Sequence, residues 1–159
     1  MPAPPKAISA TPSRCIGCLT CELACASRGW QETYPYPARI SLVFFRDGAK
    51  IPLTCFQCDN APCLSVCRTG SLTRDGLGVV ASDPAKCIGC RACSAVCPFG
   101  NIVYSPAVRA AVKCDQCGGE PRCAAACPSG ALRYVDAAAD VKAKREAFAR
   151  TLKAAAEAL

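Results

Sequence analysis

Histidine is absent from the 159-residue chain, and methionine and tryptophan occur once each. Without imidazole there is no Ser–His or Cys–His pair for nucleophilic catalysis, and the mixed Cys/His sets frequent in structural zinc sites are excluded. No G-x-G-x-x-G and no phosphate-loop signature occurs, so nicotinamide, flavin and nucleotide sites have no support. Bulky apolar residues are scarce. Leu, Ile, Val and Phe together number 31, beside 29 Ala and 16 Cys, which leaves a thin aliphatic core for this length. No run approaches the ~20 apolar residues of a membrane span, and the opening MPAPPKAISATPSR lacks the basic and apolar regions of a secretory leader. The expected setting is cytoplasmic and reducing, without direct membrane insertion, where so many thiols read as metal ligands rather than disulfides.

What the chain has in excess is cysteine, in four groups of four. Cys15, Cys18, Cys21 and Cys25 read C-x2-C-x2-C-x3-C, and Cys87, Cys90, Cys93 and Cys97 repeat that spacing 72 positions later, both opening Cys-Ile-Gly-Cys. Cys55, Cys58, Cys63 and Cys67 read C-x2-C-x4-C-x3-C, while Cys114, Cys117, Cys123 and Cys127 read C-x2-C-x5-C-x3-C. Each group of the second kind follows one of the first, so the chain is a duplicated pair of motifs.

Triplets at C-x2-C-x2-C suit an iron–sulfur cubane. The short loop turns its amides inward and delivers three thiolates and several N–H donors from about seven residues, whereas structural zinc usually joins two separate C-x2-C pairs. The fourth cysteine follows the third by four residues, which on a helical turn displaces it by about 6 Å along the axis, within reach of a neighbouring cluster. In two-cluster bacterial ferredoxins the fourth cysteine does ligate the other cluster. Ligation also changes the charge balance. With neutral thiols the chain carries +7, which would suggest nucleic acid. Ligated sulfur is deprotonated, and four cubanes at about −2 each bring the total to about −1, so Lys and Arg are counter-charge and no nucleic-acid role is expected.

Taken together, the four groups, with Pro98 and Pro128 after the third and fourth, resemble the four-cluster ferredoxin-type electron-transfer subunits of molybdenum and tungsten oxidoreductases. Members of that family serve dimethyl sulfoxide reductase, formate dehydrogenase, some hydrogenases, carbon monoxide dehydrogenase and tungsten-pterin aldehyde oxidoreductases. The likeness spans residue 14 to about residue 135. It implies four [4Fe-4S] clusters with crossed ligation: Cys15, Cys18, Cys21 with Cys127; Cys114, Cys117, Cys123 with Cys25; Cys55, Cys58, Cys63 with Cys97; and Cys87, Cys90, Cys93 with Cys67. Ala26 and Arg68 stand where a simple ferredoxin has proline, and the x5 loop of the last group is shorter than in many relatives.

Turn signals delimit the rest. Residues 39–45 and 49–53 around Asp47-Gly48 predict a β-hairpin, as do residues 71–74 and 77–81 around Asp75-Gly76. Residues 101–104 and 110–113, joined across Pro106, form a third pair. Residues 137–159 contain no Gly or Pro and place Val141, Phe148, Leu152 and Leu159 in a narrow apolar stripe, which predicts a helix capped by Asp136 or Asp140. The expected fold is α+β: duplicated bacterial-ferredoxin-like modules of small hairpins and short helices over residues 1–135, and a C-terminal amphipathic helix over 136–159 that either packs on its own domain or serves as a docking element for another subunit. Trp30, Tyr34 and Tyr36 read as core filling, with a shield for a cluster or part of a partner surface as the alternatives. Arg68, Lys86, Arg91 and Lys113 flank ligands and read as solvated charge or as electrostatic tuning of cluster potentials.

Sixteen sulfurs on four cubanes leave no iron open to substrate, so a non-catalytic electron-transfer role is expected, relaying single electrons between a catalytic subunit and a second redox subunit or ferredoxin. A tungsten or molybdenum-pterin aldehyde oxidoreductase is the first expectation for the catalytic partner. The alternatives are a hydrogenase, formate dehydrogenase or carbon monoxide dehydrogenase, or a free soluble polyferredoxin carrier. Self-association into longer electron-transfer chains is a further expectation.

Overall fold

The structure, a computed structural model, describes residues 6–29 and 37–157. Trp30, Tyr34 and Tyr36 lie outside them. Among the described residues eight short strands pair into four separate two-stranded antiparallel sheets, four short α-helices pack in pairs, and a longer one ends the described chain.

The first sheet joins the start of the described chain to the strand before its last helix. Strand β1 (Lys6–Ala10) pairs with β8 (Leu132–Asp136), Ala10 opposite Leu132 and Lys6 opposite Asp136. The other three sheets are local hairpins: β2 (Ser41–Phe44) with β3 (Lys50–Leu53), β4 (Leu72–Arg74) with β5 (Val80–Ser82), and β6 (Ile102–Ser105) with β7 (Ala110–Lys113). All three predicted hairpins are present. The second has a longer connection than its Asp75-Gly76 signal implies, because the Asp75 carboxylate accepts from the N–H groups of Leu77 and Val79, both at 2.9 Å, and so gathers a wider loop. The β1–β8 pairing was not anticipated.

Two of the sheets repeat one device. After β1 the Thr11 N–H donates to Ala131 O at 2.8 Å, and after β5 the Asp83 N–H donates to Ser71 O at 2.7 Å. A Pro-led helical turn follows each time, Pro12–Arg14 and Pro84–Lys86, delivering Cys15 and Cys87. Cys127 and Cys67 lie just before the partner strands β8 and β4. The sheet pairing therefore sets an early cysteine of one group beside the last cysteine of another.

Helix α1 (Thr20–Ala26) packs on α4 (Arg122–Ala125), and α2 (Pro62–Val66) on α3 (Ala92–Val96). Two buried clusters result. One joins Ala61, Leu72, Val80, Ile102 and Ala111 with Cys63 and Cys93; the other joins Ile40 and Leu132 with Cys21, Cys25 and Cys123. Cysteine itself is core, which answers the shortage of aliphatic residues.

Helix α5 (Ala137–Glu157) is 21 residues long, about 30 Å. Asp136 caps it, its carboxylate accepting from the Ala139 N–H at 2.8 Å. Only its beginning meets β1 and β8; Val141, Phe148 and Leu152 are all exposed, Phe148 at 64%. Among the described residues no helix is long and apolar enough to cross a membrane.

Candidate metal centres

The strands and short helices close around four cavities, each walled by four cysteines. Cys15, Cys18, Cys21 and Cys127 surround the first, with Leu42 and Pro52 from the β2–β3 hairpin behind them. Cys25, Cys114, Cys117 and Cys123 surround the second, beside Arg28, Arg39 and Asp115. The third holds Cys55, Cys58, Cys63 and Cys97, flanked by Phe56, Phe99 and Lys113. The fourth, the roomiest at about 380 Å³, holds Cys67, Cys87, Cys90 and Cys93. In every case three cysteines come from one sequence group and the fourth from another. All sixteen thiols are free of disulfides.

Backbone N–H groups aim at the sulfurs. Arg39 donates to Cys25 Sγ at 3.1 Å, Gln57 to Cys55 Sγ at 3.5 Å, Ala111 to Cys87 Sγ at 3.4 Å, Gln116 to Cys114 Sγ at 3.4 Å and Leu132 to Cys127 Sγ at 3.4 Å. Such donors favour thiolate over thiol. Gln57 (φ 50°) and Gln116 (φ 52°) donate from left-handed backbone, and the loops of the first and third groups pass through the same region at Gly17 (φ 77°), Leu19 (φ 60°), Gly89 (φ 73°) and Arg91 (φ 60°). Side chains also crowd both glycines: a Cβ at Gly17 would stand 2.7 Å from Lys50 Cδ, so the Lys50 chain would have to move, and one at Gly89 would lie a tight 3.1 Å from the Tyr104 ring.

Burial pushes the thiols of Cys21, Cys25, Cys63, Cys93 and Cys114 up, and that of Cys123 up to about 12. At Cys63 the Lys113 charge pulls the other way. Cys67 and Cys127 go down: burial opposes this, but the N–H groups of Leu72 and Leu132 and the hydroxyls of Thr69 and Ser129 outweigh it. Cys18 is lowered by Thr20 hydrogen bonds. Asp115 is held below the usual carboxylate range; burial would raise it, but Arg39, at 2.9 Å, and Arg28 prevail.

These residues fit an iron–sulfur group. The donor set is all sulfur, backbone amides point at it, and the remaining walls of the first and third cavities are mostly apolar. Around a single zinc ion, at Zn–S of ~2.3 Å, the sulfurs would converge to about 3.8 Å from one another. Among the described residues no three Cys, Asp or Glu side chains converge in that way.

Two glutamines escaped the sequence reading, although the signal is there: the second and fourth groups open Cys-x-Gln-Cys where the first and third open Cys-Ile-Gly-Cys. Gln57 donates from Nε2 to Cys114 O at 2.7 Å and accepts at Oε1 from the Val80 N–H at 3.0 Å. Gln116 donates to Lys6 O at 3.3 Å and accepts from the Tyr134 hydroxyl at 3.2 Å. Both sit in left-handed backbone and tie a ligand loop to a distant segment. Arg28, Arg39 and Asp115 were likewise missed. Of the four charges that flank ligands, Arg68 is exposed, Lys86 is exposed and paired with Asp83 at 3.4 Å, and Arg91 stacks over Tyr104 at 4.5 Å. Lys113 is buried, which the solvated-charge alternative did not foresee.

Comparison with known proteins places these cavities in context. Residues 47–137 match the family model described as a 4Fe-4S dicluster domain, and residues 12–29 match a 4Fe-4S binding domain. Among similar proteins, the thiosulfate reductase electron transfer subunit PhsB of Salmonella typhi is 37% identical over 63% of this chain and 56% of its own. The aliphatic sulfonate oxidoreductase polyferredoxin-like subunit of Pyrococcus furiosus is 38% identical over 64% and 59%. The electron transport protein HydN of Escherichia coli K12 is 37% identical over 64% and 62%. The chain thus spans under two thirds of the length of these relatives. With the dicluster model matching more than half of the residues, and with the thiol-lined cavities that such a model requires, the chain belongs to the 4Fe-4S dicluster domain family.

Proposed function

We propose that the chain is the electron-transfer subunit of an oxidoreductase complex, holding one [4Fe-4S] cluster in each of the four cavities and conducting single electrons along them. The observation that carries this reading is that four cavities use all sixteen thiols, four to each, and leave none over. Each cluster, when bound, supplies a one-electron couple with a potential set by hydrogen bonds, charge and exposure. The chain's own residues would supply four thiolates per site and aim N–H groups at the sulfurs.

The order of the sites follows from the contacts between them. Gln57, in the third site's loop, donates to the carbonyl of Cys114, a second-site cysteine, and Thr54, next to Cys55, lines the second cavity. The second and third sites are therefore the inner pair. The two exposed cysteines, Cys18 and Cys90, belong to the first and fourth, each beside an exposed isoleucine, Ile16 and Ile88. Electrons enter at one of these ends and leave at the other.

For the catalytic partner we propose a molybdenum or tungsten-pterin enzyme, with an aldehyde oxidoreductase as the first to test. The relatives named for thiosulfate reductase and aliphatic sulfonate oxidoreductase favour a second reading, a partner acting on sulfur compounds. The exposed stripe of α5 is proposed as the docking element, and the thiol load favours a reducing cytoplasm. Anaerobic purification with bound partners tests the central reading: about 16 iron and 16 sulfide per chain are expected, whereas zinc or cystine in their place overturns it. A complex that turns over aldehyde rather than a sulfur compound decides between the partners.

A further inference from the structure

Lys113 is 2% exposed and lies at the end of β7, where the inner sites meet. Its Nζ donates to Val80 O at 2.6 Å, Gln57 Oε1 at 3.0 Å and Cys114 O at 3.2 Å. An ammonium has three protons to donate, and three acceptors take them. All three are neutral oxygens. Among the described residues no carboxylate pairs with Lys113, and a buried charge without a counter-ion is costly. What lies beside it instead is the third cavity, which it lines with Cys55, Cys58, Cys63 and Cys97. The equivalent place in the other half is filled differently: there Gln116 Oε1 accepts from the neutral Tyr134 hydroxyl.

We propose that Lys113 is a fixed buried cation whose counter-charge is the cluster of the third site, and that it holds the potential of that site above the value its thiolates alone would set. This rests on the reading that the four cavities hold clusters. A site that gains negative charge on accepting an electron is favoured in that form by a nearby cation, and in a low dielectric the effect is weakly screened. Gln57 acts as the positioning residue, since its Oε1 fixes Nζ while its Nε2 holds the Cys114 carbonyl that Nζ also uses. The same three groups connect the two inner sites, so the cation stands on the path between the halves of the molecule.

The test uses full-length protein purified anaerobically, assayed for iron, and titrated electrochemically with each midpoint followed by EPR. Lys113→Met removes the charge at similar length. Gln57→Glu keeps Lys113 but sets a carboxylate against Nζ. Lys113→Arg keeps a charge as the control. Expected are wild-type iron in all three, one midpoint displaced to more negative potential in Lys113→Met and Gln57→Glu with the others moving less, and a midpoint near wild type in Lys113→Arg. Unmoved midpoints in the loaded variants overturn the proposal, and so does loss of iron from both neutralised variants, since that assigns Lys113 to packing alone. Wild-type protein without iron defeats the cluster reading itself, and the first assay reveals it before any variant is made.

Discussion

Cys127 belongs to the last cysteine group yet walls the cavity of the first, and its sulfur accepts from the Leu132 N–H. Changing Cys127→Ser should disturb the site of Cys15, Cys18 and Cys21 and spare that of Cys114, Cys117 and Cys123; EPR of the reduced variant against wild type checks which signal is lost. Gly17 gives a second residue-scale expectation. Its φ of 77° and the 2.7 Å approach of Lys50 to a Cβ mean that Gly17→Ala should cost about 1–2 kcal/mol, seen as earlier release of iron in a denaturant series. At this scale spacing picked out the cysteines, which the structure gathers in fours around its cavities. It was silent where the third dimension decides, as for Lys113, whose neighbour Cys114 is obvious but whose burial depends on Val80 and Gln57, far off in the chain.

Hairpins were legible as elements because Asp-Gly turns and short β-rich runs lie side by side. The pairing of β1 with β8 was not, since KAISA carries no turn signal and its mate lies more than a hundred residues on. Helix α5 was read from composition, and its start is set by Asp136. Asp140, bonded to Lys144 at 2.7 Å, titrates below the ordinary carboxylate range; burial would raise it, but Lys144 outweighs burial. A depressed acid stabilises the helix above its unfolded pKa of ~3.9 and ceases to do so as pH falls through the folded value. Carboxyl NMR should place that midpoint low, and Asp140→Ala should weaken the helix by only about 0.3–0.5 kcal/mol. Deleting residues 137–159 should abolish stable association with the catalytic partner while the iron content stays, as size-exclusion chromatography of the mixed proteins will show.

For the molecule as a whole, the buried clusters contain Cys21, Cys25, Cys63, Cys93 and Cys123 alongside few aliphatic residues. Metal removal should therefore unfold the protein rather than leave an empty shell, because ligand binding and core formation involve the same side chains. Chelation under anaerobic conditions should remove cooperative thermal unfolding by circular dichroism; a sharp transition in the iron-free chain would argue that the core stands without metal.

Pairing β1 with β8, more than a hundred residues later, orders the sites during synthesis. Cys15, Cys18 and Cys21 leave the ribosome first, but the thiol that completes their cavity is Cys127, so the earliest ligands to be made are among the last to be satisfied. The third and fourth cavities draw only on residues 55–97 for their cysteines, and a nascent chain can fill them while its tail is still being translated. Iron delivery thus has a built-in sequence, third and fourth sites before first and second, and ribosomes stalled late in the message should carry chains with iron enriched at the cysteines of residues 55–97.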